Sequence, residues 1–468
     1  MPNHPTRAFQ KALCWFVIVT INTIFVWAQI HSPAKGIVFD KDSISEPLNK
    51  SLNTQSSTAI LNDYTDPVNG VSSIDLVHQA LTSNSEMVAA RLEVERARAR
   101  LRQAGLRPNP TLDLERTNGV LDSPGERNAS IGLTFPLEIN GQRQRRIDLV
   151  RIELEATKAD VANRERQLIT QVRNAYIETL VALREFEIAS EINTLDAQTV
   201  HYIEIRVAEG DASPLELNLM RAETDRMHSR KILAEGRLKA ALLQLKNLVG
   251  TSADESLKLK ENLAIPFLLD SPTTVESAVE VALRTRPDLQ LARLTEEVAQ
   301  AGFRLVQAQA RPDVTAFTKY SVNQSTFDTT PIGSLTDRDK LLTVGISINL
   351  PLFNRNQGSK TEAKVAIAQA KHRREFLEKV IKSEVSAAYS RYEAAQTAVG
   401  IFKSGVIERS VENLRAMRGA YEVGAFRITD VISEQRRFTD SQREYTEALA
   451  ERYRALTALQ AAIGITIP

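Results

Sequence analysis

Cysteine is nearly absent. The 468 residues hold one, Cys14, so no disulfide and no thiolate metal site can form within a chain. Charge of one sign is lacking too: 59 Lys and Arg stand against 58 Asp and Glu. No basic excess exists to neutralise the phosphates of a nucleic acid. Aromatic residues make up only 6%. Ala, Leu, Glu, Arg and Gln abound instead, a composition that suits long helices. His78, His201, His228 and His372 are scattered, without the paired spacing of a metal site. No Gly-rich phosphate loop precedes Lys and Ser or Thr, and no nucleophile elbow occurs. These absences argue against an enzyme, a cofactor or a bound metal. Beyond the N-terminus no run approaches the roughly 20 apolar residues of a membrane helix. Any further membrane contact must use strands or a surface.

The N-terminus itself has the form of a secretory signal. Arg7 and Lys11 supply the positive charge, residues 12–27 are almost wholly apolar, and Val26-Trp27-Ala28 offers a cleavage site after Ala28. An uncleaved anchor is the alternative, because the apolar run is long for a signal. Cys14 lies at the start of that run instead of after it, which argues against lipidation. Residues 29–72 are rich in Ser, Asn, Thr and Asp with no period, and are expected to form a linker or extended arm.

Regular patterning begins at Ser73, read as a helix N-cap before Ile74, Leu76, Val77, Ala80 and Leu81. A second helix is expected over 86–106. Strand signals follow at 111–117 and 130–135, separated by a turn-rich loop and closed by Pro136. A proline-free helical pattern then runs from Gln142 to Ala208. Leu168, Val172, Ala175, Ala182, Phe186, Ala189, Val200, Ile203 and Val207 keep steps of three, four or seven, the seam of a coiled coil. Gly210, Asp211 and Ser213 break it, and Pro214 opens a returning helix that ends at Gly250.

After a connector at 251–272 the same programme repeats over 273–468, matching 73–250. Strands are expected at 314–320 and 342–350. The second is the clearest in the chain: Leu342, Val344, Ile346, Ile348 and Leu350 alternate with Thr343, Gly345, Ser347 and Asn349. A helical pattern follows from Gly358 to Tyr421, on the order of 100 Å at 1.5 Å per residue. It stops at Gly424, the counterpart of Gly210, and the last helix ends at Gly464.

Each half thus supplies two strands, a long helix, a turn and a returning helix. Four strands cannot close a barrel, which needs about eight, and open edges are not tolerated in lipid. Strands from other copies must complete it. Leu342, Val344, Ile346 and Ile348 would then face lipid. Thr343, Ser347, Asn349, Asp113, Glu115 and Thr134 would face a wet lumen. The competing reading is a soluble coiled-coil scaffold in the periplasm, which leaves two very long helices without a partner of matching length.

The ordered repeat, Arg107-Pro108-Asn109-Pro110, Phe135-Pro136-Leu137 and the Gly424 turn resemble the TolC family of outer-membrane efflux proteins. The resemblance spans about residues 73–464. It implies a mainly α fold with a small β component. Assembled as a homotrimer, the chain would form a 12-stranded barrel in the outer membrane of a Gram-negative bacterium, over a periplasmic helical barrel. It also implies a periplasmic adaptor and an inner-membrane pump as partners. Residues 104–112 and Leu137-Glu138-Ile139-Asn140-Gly141 resemble the branch that exports cobalt, zinc, cadmium and related heavy metals. Asn140 departs from that branch, where glycine is common. Drug efflux and type I protein secretion use the same fold.

A channel needs a gate, and the tips at 208–217 and 423–431 are the candidates. In register, Glu216 matches Asp430. Three copies would gather about six carboxylates at the periplasmic mouth, favouring cations. The resemblance supports Asp430, which matches an aspartate at the family's tunnel constriction. The second aspartate of that pattern is replaced by Ser433. Alternatively, both acids merely serve the start of their helices. Gly210, Asp211, Gly424 and Arg427 mark the turns where an adaptor would dock.

Overall fold

Ser72, not Ser73, starts the first helix. Its hydroxyl accepts from the Asp75 N–H while the Asp75 carboxylate accepts from the Ser72 N–H, a reciprocal capping box. The computed structural model describes residues 63–118, 126–263, 274–329 and 333–464. The signal segment, its cleavage after Ala28 and most of the N-terminal linker lie outside the described residues.

The first repeat comprises α1 (Ser73–Ser83), α2 (Ser85–Ala104), β1 (Thr111–Asn118), β2 (Arg127–Leu137), α3 (Gln142–Glu209) and α4 (Pro214–Val249). The second comprises α5 (Val275–Thr285), α6 (Pro287–Gln309), β3 (Asp313–Thr329), β4 (Gly333–Asn349), α7 (Gln357–Ile401), α8 (Ile407–Glu422) and α9 (Ile428–Ile463). The expected elements are present in the expected order. Two details differ. The strands β3 and β4 reach well beyond 320 and 342, where polar residues on both faces give no alternation to read. The helix from 357 to 422 is also interrupted by a π-helical turn, Phe402–Val406. The matching stretch of α3 stays α-helical.

The helices bury their seams in several clusters. Leu76, Val77 and Ala80 of α1 pack on Val172, Tyr176, Leu180 and Phe186 of α3 and on Leu238 and Leu245 of α4. In the second repeat Ala278, Ala282 and Leu289 pack on Ile381, Val385, Leu459 and Ile463. The end of the linker joins the first cluster. Tyr64 meets Phe186 edge to face, and residues around Thr65 and Val71 bridge to the fully buried Leu259 of the connector. The Tyr176 hydroxyl donates to Glu261, fixing the connector to α3.

The four strands form one antiparallel sheet in sequence order. The β2–β3 pairing joins the two repeats, from Arg127 opposite Gln324 to Leu137 opposite Val314. β1 and β4 are the sheet edges, with no strand partner among the described residues.

Candidate functional site

Cross-strand register decides what each face of the sheet carries, because residues directly opposite share a face. Leu114, Ile131, Tyr320 and Leu342 form one row, and Leu112, Leu133, Thr318 and Val344 the next. Phe135, Ala316 and Ile346 follow, then Leu137, Val314 and Ile348. This face is apolar yet open to solvent in a single chain. Leu342, Val344, Ile346 and Ile348 are 71%, 75%, 67% and 54% exposed.

The opposite face is polar. Thr134 donates to Asp113 at 3.0 Å, and Lys319 reaches across β2, over Gly132, to pair with Glu115 at 2.7 Å. Thr343, Ser347 and Asn349 lie on this side. Phe317 lies against Gly345, where an added Cβ would come within 2.5 Å of the ring.

The helical tips are packed together at the other end of the long helices. Ile203, Met220, Tyr421, Ile428 and Val431 form a buried cluster drawn from α3, α4, α8 and α9. Gly210 has φ +85° and Gly424 φ +77°, the left-handed region that L side chains resist. Each glycine ends its long helix by reversing the chain. The following N–H groups of Asp211 and Ala425 return to the carbonyls of Arg206 and Ala420. Arg427 is exposed at its turn, beside Phe426 and Val423 at 48% and 80% exposure.

The two candidate acids sit differently. The Asp430 carboxylate accepts from the backbone N–H of Arg427 at 3.1 Å, so it serves the start of its own helix. Glu216 instead accepts from the Tyr421 hydroxyl at 3.2 Å, a bond between the first hairpin and the second. Burial and the Glu216 charge push the Tyr421 phenol up to about 12. The Arg206 guanidinium stands 5.6 Å from the centre of the same ring.

Further along the four-helix contact lies a polar layer that sequence reasoning missed. Asp196 is fully buried and accepts from the Gln435 amide at 2.6 Å. Arg418 donates to the same Gln435 at 3.4 Å. The second Asp196 oxygen and Arg418 Nε have no hydrogen-bond partner among the described residues. Burial raises the Asp196 carboxyl to about 6, against the pull of Gln435 and Arg418. Nearby, Glu223 is held by Arg436 at 2.6 and 3.1 Å. Burial pushes Glu223 up, but Arg436 and Arg226 outweigh it and hold the group below its ordinary value. One signal for this layer was available: Asp196 occupies a seam position between Ala189 and Val200, where an apolar residue belongs.

A raised folded pKa means the Asp196 contribution is fully present below about pH 4 and lost as pH rises through about 6. Asp196→Asn is therefore expected to stabilise the protein at pH 8 by about 2 kcal/mol and to flatten the melting-temperature profile between about pH 4 and 6. Parallel profiles for the two proteins would rule this out.

Among the described residues no helix is long and apolar enough to cross a membrane, and no group of His, Cys, Asp and Glu could hold a metal. Two segments, residues 76–251 and 278–465, match the family model described as outer membrane efflux protein. The chain belongs to that family. The outer membrane efflux proteins, TolC among them, are channel proteins of the Gram-negative outer membrane, not enzymes. The cobalt-zinc-cadmium resistance protein CzcC of Cupriavidus metallidurans is 23% identical over 391 residues, covering 82% of this chain and 88% of that one. The pyoverdine export outer membrane protein OpmQ of Pseudomonas aeruginosa is 25% identical over 413 residues, covering 83% and 84%. The solved structure of CusC superposes with a TM-score of 0.68 at 19% identity, covering 84% of this chain and 92% of that one.

Proposed function

We propose that three copies of this outer membrane efflux protein close their sheets into a 12-stranded barrel and their helices into a periplasmic duct. The observation that carries this reading is the exposed apolar face on a sheet whose two edges are unpaired among the described residues. Leu342 to Leu350 spans about 27 Å along the strand. At a tilt of about 40° that is about 20 Å of membrane, close to the ~25 Å apolar band of such barrels. β4 of one copy then pairs with β1 of the next, in a head-to-tail ring.

In this reading the duct serves a tripartite system. A periplasmic adaptor docks at the tips, where Leu215, Val423 and Phe426 are exposed beside Asp211 and Arg427. A proton-driven pump in the inner membrane supplies the energy. The cargo is a divalent heavy-metal cation. The likeness to CzcC, a cobalt-zinc-cadmium resistance protein, supports it, as does the placing of Glu216 and Asp430 at the tips. OpmQ, named for pyoverdine export, favours a second reading in which the same duct carries a larger organic cargo. Drug efflux and type I secretion belong to that second class.

Bilayer recordings test the gate. Glu216→Ala with Asp430→Ala is expected to lower the cation-to-anion permeability ratio at least about twofold. Tyr421→Phe keeps both carboxylates but breaks the bond between hairpins, so it should raise the open probability and leave selectivity unchanged. Unchanged reversal potentials in the double variant would reduce both acids to helix-terminal roles. Growth of a deletion strain on zinc, cobalt, cadmium and drug gradients separates the two cargo readings.

A further inference from the structure

Beyond the apolar rows, on the same face of the sheet, the register gathers cations. Arg116, Ala129, Val322 and Lys340 form the row next to Leu342. Asn118, Arg127, Gln324 and Arg338 form the one after it. These rows lie toward the β1–β2 and β3–β4 connections, the ends of the strands away from the helices. All four basic side chains are exposed, and none makes an ion pair or side-chain hydrogen bond among the described residues. Elsewhere the chain pairs its cations freely, as Lys319 does with Glu115 on the other face.

Acids are sorted away from these rows. Glu115, Asp337 and Asp339 fall on the opposite face by register. Among the residues with described side chains, no acid lies on the outward face within these two rows. Tyr320, 40% exposed, stands in the last apolar row, where an aromatic girdle marks the edge of a bilayer. A row step is about 7 Å along the strand. The cations therefore sit where acyl chains give way to headgroups.

We propose that Arg116, Arg127, Arg338 and Lys340 form a binding rim for a phosphorylated glycolipid, the lipid A of the outer leaflet. This rests on the barrel reading above, which turns this face to lipid and these strand ends to the cell exterior. A lipid A headgroup carries phosphates on a rigid disaccharide. Arg116 and Arg127 are diagonal neighbours on β1 and β2, about 8 Å apart, and Arg338 and Lys340 lie two strands away on β4, so guanidinium forks and an ammonium can meet separate phosphates of one headgroup. The bare apolar rows below would receive its acyl chains. A merely soluble rim would mix both signs of charge within these two rows.

The test uses the full chain, purified in detergent and titrated with bisphosphoryl lipid A, dephosphorylated lipid A or phosphatidylglycerol, with binding read by native mass spectrometry. The wild type should bind bisphosphoryl lipid A at least about tenfold tighter than either other lipid. Arg116→Gln, Arg127→Gln, Arg338→Gln and Lys340→Gln together should remove that preference, whereas Lys at the three arginine positions should keep most of it. Should the fourfold variant fail to fold, the pairs Arg116→Gln with Arg127→Gln and Arg338→Gln with Lys340→Gln should each lose part of it. Equal lipid A affinity in wild type and Gln variants overturns the proposal. So does equal binding of phosphatidylglycerol, which would make the rim a general anionic surface. Bilayer conductance on the same preparations separates the two readings. A conducting wild type without phosphate-dependent binding overturns the rim alone. A wild type that never conducts overturns the barrel, and the rim with it.

Discussion

Ile346→Lys is expected to leave the helices folded and to remove the protein from the outer-membrane fraction. Ile346 lies midway along the apolar rows and is 67% exposed in the single chain. Nothing within the chain would suffer from a lysine there. In the proposed barrel the same side chain meets the middle of the bilayer, at about 2–4 kcal/mol per copy, and three copies incur it together. Ser347→Lys is the control, since Ser347 is one residue away on the polar face. Lysine there should assemble normally. Membrane fractionation with detergent-free lysis reads the first effect, and circular dichroism confirms that helix content is kept. If Ile346→Lys assembles as well as Ser347→Lys, the apolar face does not meet lipid.

Arg286→Ala is expected to destabilise the helical part by about 3 kcal/mol or more. The Arg286 side chain is 4% exposed at the junction of α5 and α6. It holds Asp288 with two hydrogen bonds, at 2.6 and 3.0 Å, and Glu384 of α7 with one at 2.7 Å. It also donates to the carbonyl of Ala462 at the end of α9. Truncation leaves Asp288 mostly buried with the Leu289 N–H at 2.9 Å and, as its remaining cation, the more distant Arg166 at 3.7 Å. Glu384 is half exposed and adds little, so the cost comes chiefly from Asp288 and the freed carbonyl. Burial pushes the Asp288 carboxyl up, but Arg286 outweighs it and holds the group below its ordinary value. A depressed folded pKa gives stability that is present above about pH 4 and lost as pH falls through the folded pKa. The variant should therefore lose less than the wild type on acidification. Arg286→Lys keeps the charge without the fork and should recover part of the loss. Chemical denaturation followed by circular dichroism measures all three, and a loss below about 1 kcal/mol for Arg286→Ala would show the network to be dispensable.

The sequence carried the fold where local signals were strong. Leu342 to Leu350 alternates without a break, Gly210, Gly250, Gly424 and Gly464 punctuate the hairpins, and Pro214 opens α4. Signals faded where contrast was missing. Ser334 to Lys340 has polar residues on both faces and only Leu335 apolar, so β4 could not be told from loop there. Phe402-Lys403-Ser404-Gly405-Val406 reads as ordinary helix, because a π turn changes hydrogen bonding and not composition. At the tips, Glu216 and Asp430 were found by matching the two repeats, but their partners were not. Tyr421 is 205 residues from Glu216, and Gln435 is 239 from Asp196. Periodicity reports what one helix buries, not which distant side chain meets it.

In the proposed trimer the edges of β1 and β4, unpaired among the described residues, carry a genetic consequence. In the proposed ring closed by unlike edges, every copy is both donor and acceptor of a seam, so a copy defective at β4 alone already opens one of the three. A variant that folds and associates through its helices, yet cannot lay β4 against a neighbour, would be dominant over the wild type. With equal expression and random mixing, about seven in eight trimers would contain at least one such copy. Most of the efflux capacity of a cell would then be lost while half of its chains were sound.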